Sequence, residues 1–182
     1  MNTANKITLF RIALVPFFIV FLFIFAKVGV VFSLFIFTVA SFSDWLDGYV
    51  ARKKNEVTVT GKIIDPVADK ILVYSAFICF IYLHIIPFWM VIVIMARDFL
   101  VMALRVELAA TGFVLASSMT AKLKTVLEYV ALFFVFFYLL FDLRFFQIFM
   151  QVFIYSAMGL ACIFAVVSGI EYFLQGRRML IK

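Results

Sequence analysis

Long stretches without charge dominate the chain. Residues 12–26, 28–43, 71–96, 108–121, 129–141 and 145–170 each run without Asp, Glu, Lys or Arg. A helix needs about 20 apolar residues to cross a bilayer, and it satisfies its backbone N–H and C=O groups within the segment. The stretch 71–96 contains His84 and Pro87. Proline disrupts a helix that reaches it, so this stretch reads as the end of one helix, a reversal and the start of the next. With charged residues admitted at the ends, the pattern predicts six helices, over 7–26, 29–51, 62–84, 88–110, 121–142 and 145–172. The expected fold class is all-α. It is a polytopic membrane protein with six transmembrane helices and a short N-terminal juxtamembrane segment, forming one membrane-embedded domain over 1–182. Asn5 or Thr8 is placed to cap the first helix.

Composition agrees with this pattern. The chain is 68% hydrophobic and 14% charged, with 26 Phe among 182 residues, and its mean hydropathy is +1.22. A soluble globule carries about 25% charged residues, so a soluble enzyme and a disordered chain are both excluded. Cys79 and Cys162 lie in apolar runs and read as small buried hydrophobes, with no disulfide or zinc spacing. His84, beside Pro87, reads as a loop residue. Trp45, Trp89 and the many Phe read as lipid-facing and interfacial surface.

The placement of charge sets an orientation. Lys6, Arg11, Arg52, Lys53, Lys54, Lys62, Arg105, Lys122, Lys124, Arg177, Arg178 and Lys182 fall on one side of the predicted spans. The other side receives little beyond Lys27 and Arg144. By the positive-inside rule the basic side is cytoplasmic, which puts both termini inside a cell membrane. The net charge of +6 favours anionic headgroups and requires no nucleic-acid partner. The first apolar run ends at Ala26-Lys27 without a small-x-small cleavage site, so it is expected to be retained.

Against this background four carboxylates stand out. Asp44 and Asp47 close the second predicted helix, and Asp65 and Asp69 open the third. At about 100° per residue, Asp44, Asp47, Gly48 and Ala51 share one face, with Arg52 at its edge. Gly61, Asp65 and Asp69, spaced four apart, share a stripe on the next helix. The polar octet 53–60 allows the two helices to run antiparallel, so that the acidic faces meet. Carboxylates gathered in this way repel unless protonated or bound to cations. Hard oxygen donors suit Mg²⁺ or Mn²⁺, and four of them fit a pair of divalent cations on a phosphoryl group. Gly48, Ala51 and Gly61 leave bare backbone where a bulky ligand can approach. The competing interpretation is that the Asp residues cap helix ends and pair with Arg52, Lys53, Lys54, Lys62 and Lys70, the glycines serving close packing.

The pattern D-x2-D-G-x2-A-R-x8-G-x3-D-x3-D, from Asp44 to Asp69, resembles the signature of the CDP-alcohol phosphatidyltransferase family, with every fixed position present. The resemblance covers most of the chain. Asn5 to Arg11, Asp44 to Lys53, Gly61 to Val73, Arg97-Asp98 with Ala103-Leu104-Arg105, and Ala121 to Thr125 are similar to its bacterial phosphatidylglycerophosphate-forming branch. Ala4, Asp98 and Ala121 depart from the Pro, Glu and Gly usual there.

The resemblance implies a six-helix enzyme, commonly a homodimer, open to the cytoplasmic leaflet of a bacterial membrane. Such enzymes move a phosphatidyl group from CDP-diacylglycerol to an alcohol and release CMP. It implies that Asp44, Asp47, Asp65 and Asp69 hold two divalent cations and that Asp69 is also the general base. Gly48, Ala51, Arg52 and Gly61 would line the CDP site. With glycerol 3-phosphate as acceptor, its phosphate needs cations, for which Arg105, Lys122 and Lys124 are the candidates. Within the family, synthesis of cardiolipin, phosphatidylserine or an inositol-phosphate lipid is the alternative. Outside it, a divalent-cation transporter would use the same four Asp.

Overall fold

The computed structural model describes the backbone of residues 3–54, 59–110 and 118–180, and side chains within 9–43, 70–109 and 118–177. Among these residues the structure is all-helical: α1 Thr3–Ile24, α2 Ala26–Lys54, α3 Val59–Tyr82, α4 Phe88–Ala110, α5 Met119–Leu140 and α6 Arg144–Leu180. All six predicted helices are present, and α4 has the predicted bounds because Pro87 fixes where it starts. α2 and α6 run past both predicted ends, whereas α1, α3 and α5 start earlier than predicted and stop two residues short of the predicted end. α1 starts at Thr3 rather than residue 7, and α6 reaches Leu180 rather than 172. Charged residues mark where an apolar stripe stops, not where backbone hydrogen bonding stops. Likewise α2 and α3 both extend into the polar octet, and residues 55–58, where the reversal was expected, lie outside the described residues.

Two compact units make up the chain: α1–α3 with Leu139–Phe141, and Leu83–Tyr138 with Asp142 onward. In the first unit, only Phe25 separates α1 from α2. Ala26 adopts φ 46°, and the Gly29 amide donates to the Phe25 carbonyl at 3.0 Å. The chain thereby doubles back. Phe18 pairs with Phe37 (ring centroids 6.2 Å apart) and Phe21 with Phe32 (5.4 Å), numbering that rises on one helix as it falls on the other, as antiparallel neighbours require. The buried Ser33 hydroxyl donates to the Phe18 carbonyl at 3.1 Å, which satisfies a polar group that apolar surroundings would otherwise penalise.

Gly29 is indispensable to this crossing, because a Cβ there would run into the Phe21 carbonyl oxygen. Backbone, unlike a side-chain tip, cannot rotate away. Gly29→Val is expected to cost about 3 kcal/mol, at the upper end of overpacking effects, and to lower the melting temperature in detergent. An unchanged melting temperature would contradict the close approach.

In the second unit α4 packs on α6. Small residues on α6 bring the helices together: a Cβ at Gly169 would sit 3.3 Å from Arg97 Cγ, and one at Gly176 would sit 3.0 Å from Leu104 Cδ1. Val101, Leu108 and Tyr172 form a buried cluster, with Leu104 and Ala121 packed against it. α5 meets α6 through stacked Phe134 and Phe153, 5.2 Å apart. In the link between α3 and α4, His84 is exposed with φ 57°. Cys79 and Cys162 are buried and free, as expected of small hydrophobes, and the Cys162 thiol donates to the Met90 carbonyl at 3.5 Å.

Among the described residues, Ala26–Ser43, Met119–Leu140 and Arg144–Arg177 are long and apolar enough to cross a membrane. Leu9–Ile24 and Lys70–Tyr82 are shorter apolar helices. In α4, Arg97, Asp98, Arg105 and Glu107 interrupt the apolar run. Large apolar side chains such as Phe35, Leu100, Phe145 and Phe173 are exposed, an arrangement suited to contact with lipid rather than water.

Candidate functional site

Asp44, Asp47, Gly48, Ala51 and Arg52 lie in the last part of α2, and Gly61, Asp65 and Asp69 in the first part of α3. These two helices are in contact within one unit. The side chains of all eight lie outside the described residues, and with them the expected meeting of the acidic faces. Among the described residues no group of three or more His, Cys, Asp or Glu is placed to hold a metal.

The second unit carries a buried cluster of charges that the sequence only hinted at. Arg97 and Asp98 are adjacent on α4, and an Arg97 Nη1 donates to Asp98 Oδ1 at 3.0 Å. Lys124, from α5, donates to the same carboxylate oxygen at 2.7 Å. One turn further along α5, Glu128 Oε1 lies 2.6 Å from Lys124 Nζ. The side chains of Lys124, Glu128 and Asp98 are 1%, 2% and 4% exposed. Arg97 Nη2 reaches across to α6 and donates to Ser168 Oγ at 2.8 Å, and that hydroxyl donates in turn to the Phe164 carbonyl at 2.6 Å. Two cations thus face two carboxylates. Burial of charge is tolerable only with such pairing and with further hydrogen bonds.

A second network lies about two turns further along α4. Arg105 Nη2 donates to the Tyr172 hydroxyl at 2.9 Å, and the Ser118 backbone N–H donates to the same oxygen at 2.9 Å. The Tyr172 ring faces Arg97 Cζ at 5.4 Å and Arg105 Cζ at 5.1 Å from its centroid, within cation–π range of both. Beside it, Thr120 donates to Glu171 Oε2 at 2.5 Å. A carboxylate accepts only, so Thr120 has spent its single proton. Ser118 Oγ, 2.8 Å away, must therefore donate to Thr120. Ser118 Oγ also accepts the Ala121 amide at 3.2 Å and caps the start of α5.

The structure therefore separates the three expected phosphate-binding cations. Arg105 and Lys122 are exposed, whereas Lys124 is buried between Asp98 and Glu128. Tyr172, Glu171, Ser168 and Glu128 had no role in the sequence reading. Of these, Glu128 carried a readable signal: it stands four residues after Lys124 at the edge of an apolar run. Tyr172 and Ser168 carried none, because their partners lie on another helix.

Comparison with known proteins concerns the sequence as a whole. The profile of the CDP-alcohol phosphatidyltransferase family matches residues 1–167. The chain is 42% identical over 184 residues to the CDP-diacylglycerol–glycerol-3-phosphate 3-phosphatidyltransferase of Bacillus subtilis (strain 168), covering 94% of this chain and 93% of that one. It is 37% identical to the protein of the same name from Wigglesworthia glossinidia brevipalpis, over 73% of this chain and 75% of that one. It is 38% identical to the one from Rickettsia bellii (strain RML369-C), over 72% of each. The chain belongs to the CDP-alcohol phosphatidyltransferase family.

Proposed function

We propose that this protein transfers the phosphatidyl group of CDP-diacylglycerol to glycerol 3-phosphate, giving phosphatidylglycerol phosphate and CMP. The observation that carries this reading is likeness over nearly the whole chain to relatives bearing that name, with every fixed position of the aspartate motif present. Enzymes of this family generally use divalent metal ions. The donor set fits them: Asp44, Asp47, Asp65 and Asp69 are hard oxygen ligands suited to two Mg²⁺ or Mn²⁺. When bound, the ions would neutralise charge on the diphosphate of the donor.

In this reading Gly48, Ala51, Arg52 and Gly61 line the CDP site. Asp69 accepts the proton of the sn-1 hydroxyl of glycerol 3-phosphate. The hydroxyl oxygen bonds to the lipid-bearing β-phosphorus as the bond from that phosphorus to the bridging oxygen breaks, and CMP leaves with the electron pair. Arg105 and Lys122, both exposed, take the phosphate of the acceptor. Lys124, buried and neutralised between Asp98 and Glu128, joins α5 to α4 instead of reaching that phosphate. The enzyme spans a bacterial cytoplasmic membrane six times, with both termini and the active site on the cytoplasmic side, and works as a homodimer among membrane lipids. The long apolar helices and the one-sided basic residues support this topology. No observation favours the cation transporter.

The test is product identity. Purified protein in detergent is given CDP-diacylglycerol with Mg²⁺ or Mn²⁺ and, separately, glycerol 3-phosphate, serine, inositol phosphate or phosphatidylglycerol. Radiolabelled CMP is expected with glycerol 3-phosphate, and chelation by EDTA is expected to abolish it. Release with another acceptor instead would move the protein to a different branch of the family. Release that persists after chelation would remove the metal role of the four Asp.

A further inference from the structure

We infer that Tyr172 is a positioning residue that sets the affinity for the phosphate of the acceptor by fixing the guanidinium of Arg105. This rests on the assignment of Arg105 to that phosphate. Arg105 is exposed and long, and a free side chain of that kind samples many rotamers. Here one of its terminal nitrogens is tied at 2.9 Å to a hydroxyl whose ring is 1% exposed and packed among Val101, Leu108 and Leu104. The same ring face attracts the guanidinium at 5.1 Å. A core tyrosine needs only one polar partner. This hydroxyl accepts from two, and the second is the Ser118 amide at the start of α5, four residues before Lys122. One phenol oxygen therefore ties the Arg105 guanidinium to the backbone at the start of α5, a fixed point on a second helix. Glu171, its neighbour on α6, holds the same end of α5 through Thr120.

Holding a cation in place before the ligand arrives removes an ordering cost from binding. Losing that placement should therefore appear in the KM for the acceptor and leave the chemical step and the donor alone. Tyr172→Phe removes the hydroxyl and keeps the ring. In purified protein in detergent with CDP-diacylglycerol and Mg²⁺, it is expected to raise the KM for glycerol 3-phosphate about tenfold, the scale of one hydrogen bond from a charged donor. Turnover and the KM for CDP-diacylglycerol should stay within about twofold by the same reasoning. Because the hydroxyl acts through Arg105, Tyr172→Phe added to Arg105→Ala should raise the acceptor KM little further.

Independent, multiplying effects of the two substitutions would overturn the inference, as would equal shifts in both KM values. A variant that does not fold, or that melts well below wild type while both KM values move together, makes Tyr172 purely structural and also overturns it. Wild-type protein that releases no CMP with glycerol 3-phosphate would instead sink the acceptor assignment on which the inference stands.

Discussion

Asp69→Asn is expected to lower turnover by about 10²–10⁴-fold, the range over which a positioned general base contributes. Asn keeps the shape and loses both the charge and the capacity to accept a proton. Asp69 is the last fixed position of the motif, four residues beyond Asp65 on α3. In the proposed reaction it stands nearest the attacking hydroxyl. Binding of radiolabelled CDP-diacylglycerol in the presence of Mg²⁺ should survive in large part, because Asp44, Asp47 and Asp65 remain. The decisive comparison is CMP release at saturating substrates against donor binding in the same preparation. Near-normal turnover with metal bound would mean that another group, or water, takes the proton. Loss of donor binding in step with turnover would mean that Asp69 serves the metals alone.

The second large effect is on stability. Asp98→Asn leaves Lys124 and Arg97 facing Glu128 alone, one buried positive charge in excess. Breaking a buried ion pair from one side costs about 3–5 kcal/mol, because the remaining charge cannot return to water. Folded yield and melting temperature in detergent should both fall sharply. Lys124→Met should be comparably damaging, since it strands two carboxylates near one arginine. Combining the two changes restores one cation to one anion. The double variant is therefore expected to be more stable than the sum of the single losses implies, with a coupling above about 1 kcal/mol. Strictly additive losses would mean that the cluster does not act as one neutral unit.

The architecture was legible where it depends on local chain properties. Pro87 and the charge-free stretches located the helices, since a bilayer-length apolar run and a proline act on the backbone around them. Helix ends were less legible at Thr3, Lys54 and Leu180, where helices continue through polar residues that also suit water. The break between the first two helices was expected at 27–28; its shift to Phe25–Ala26 was hidden because nothing in an apolar alanine announces a positive φ. For the site, spacing alone put the four Asp on two helices. Lys124, by contrast, looked like surface charge beside Lys122, because the difference between them is a two-residue change of helix face and the presence of Asp98 on another helix. The grip of Tyr172 on Arg105 joins positions 67 residues apart, and no periodicity within one helix encodes such a pairing.

The neutral cluster also bears on how the chain is made. In the proposed six-span arrangement, α4 leaves the ribosome bearing Arg97 and Asp98 before Lys124, Glu128 and Ser168 have been synthesised. Each such charge at the centre of a lone helix costs about 2.5–3.5 kcal/mol during translocon-mediated insertion. The nascent α4 would therefore linger at the translocon until α5 and α6 arrive to complete the pairing, which makes the second unit a single cargo for insertion.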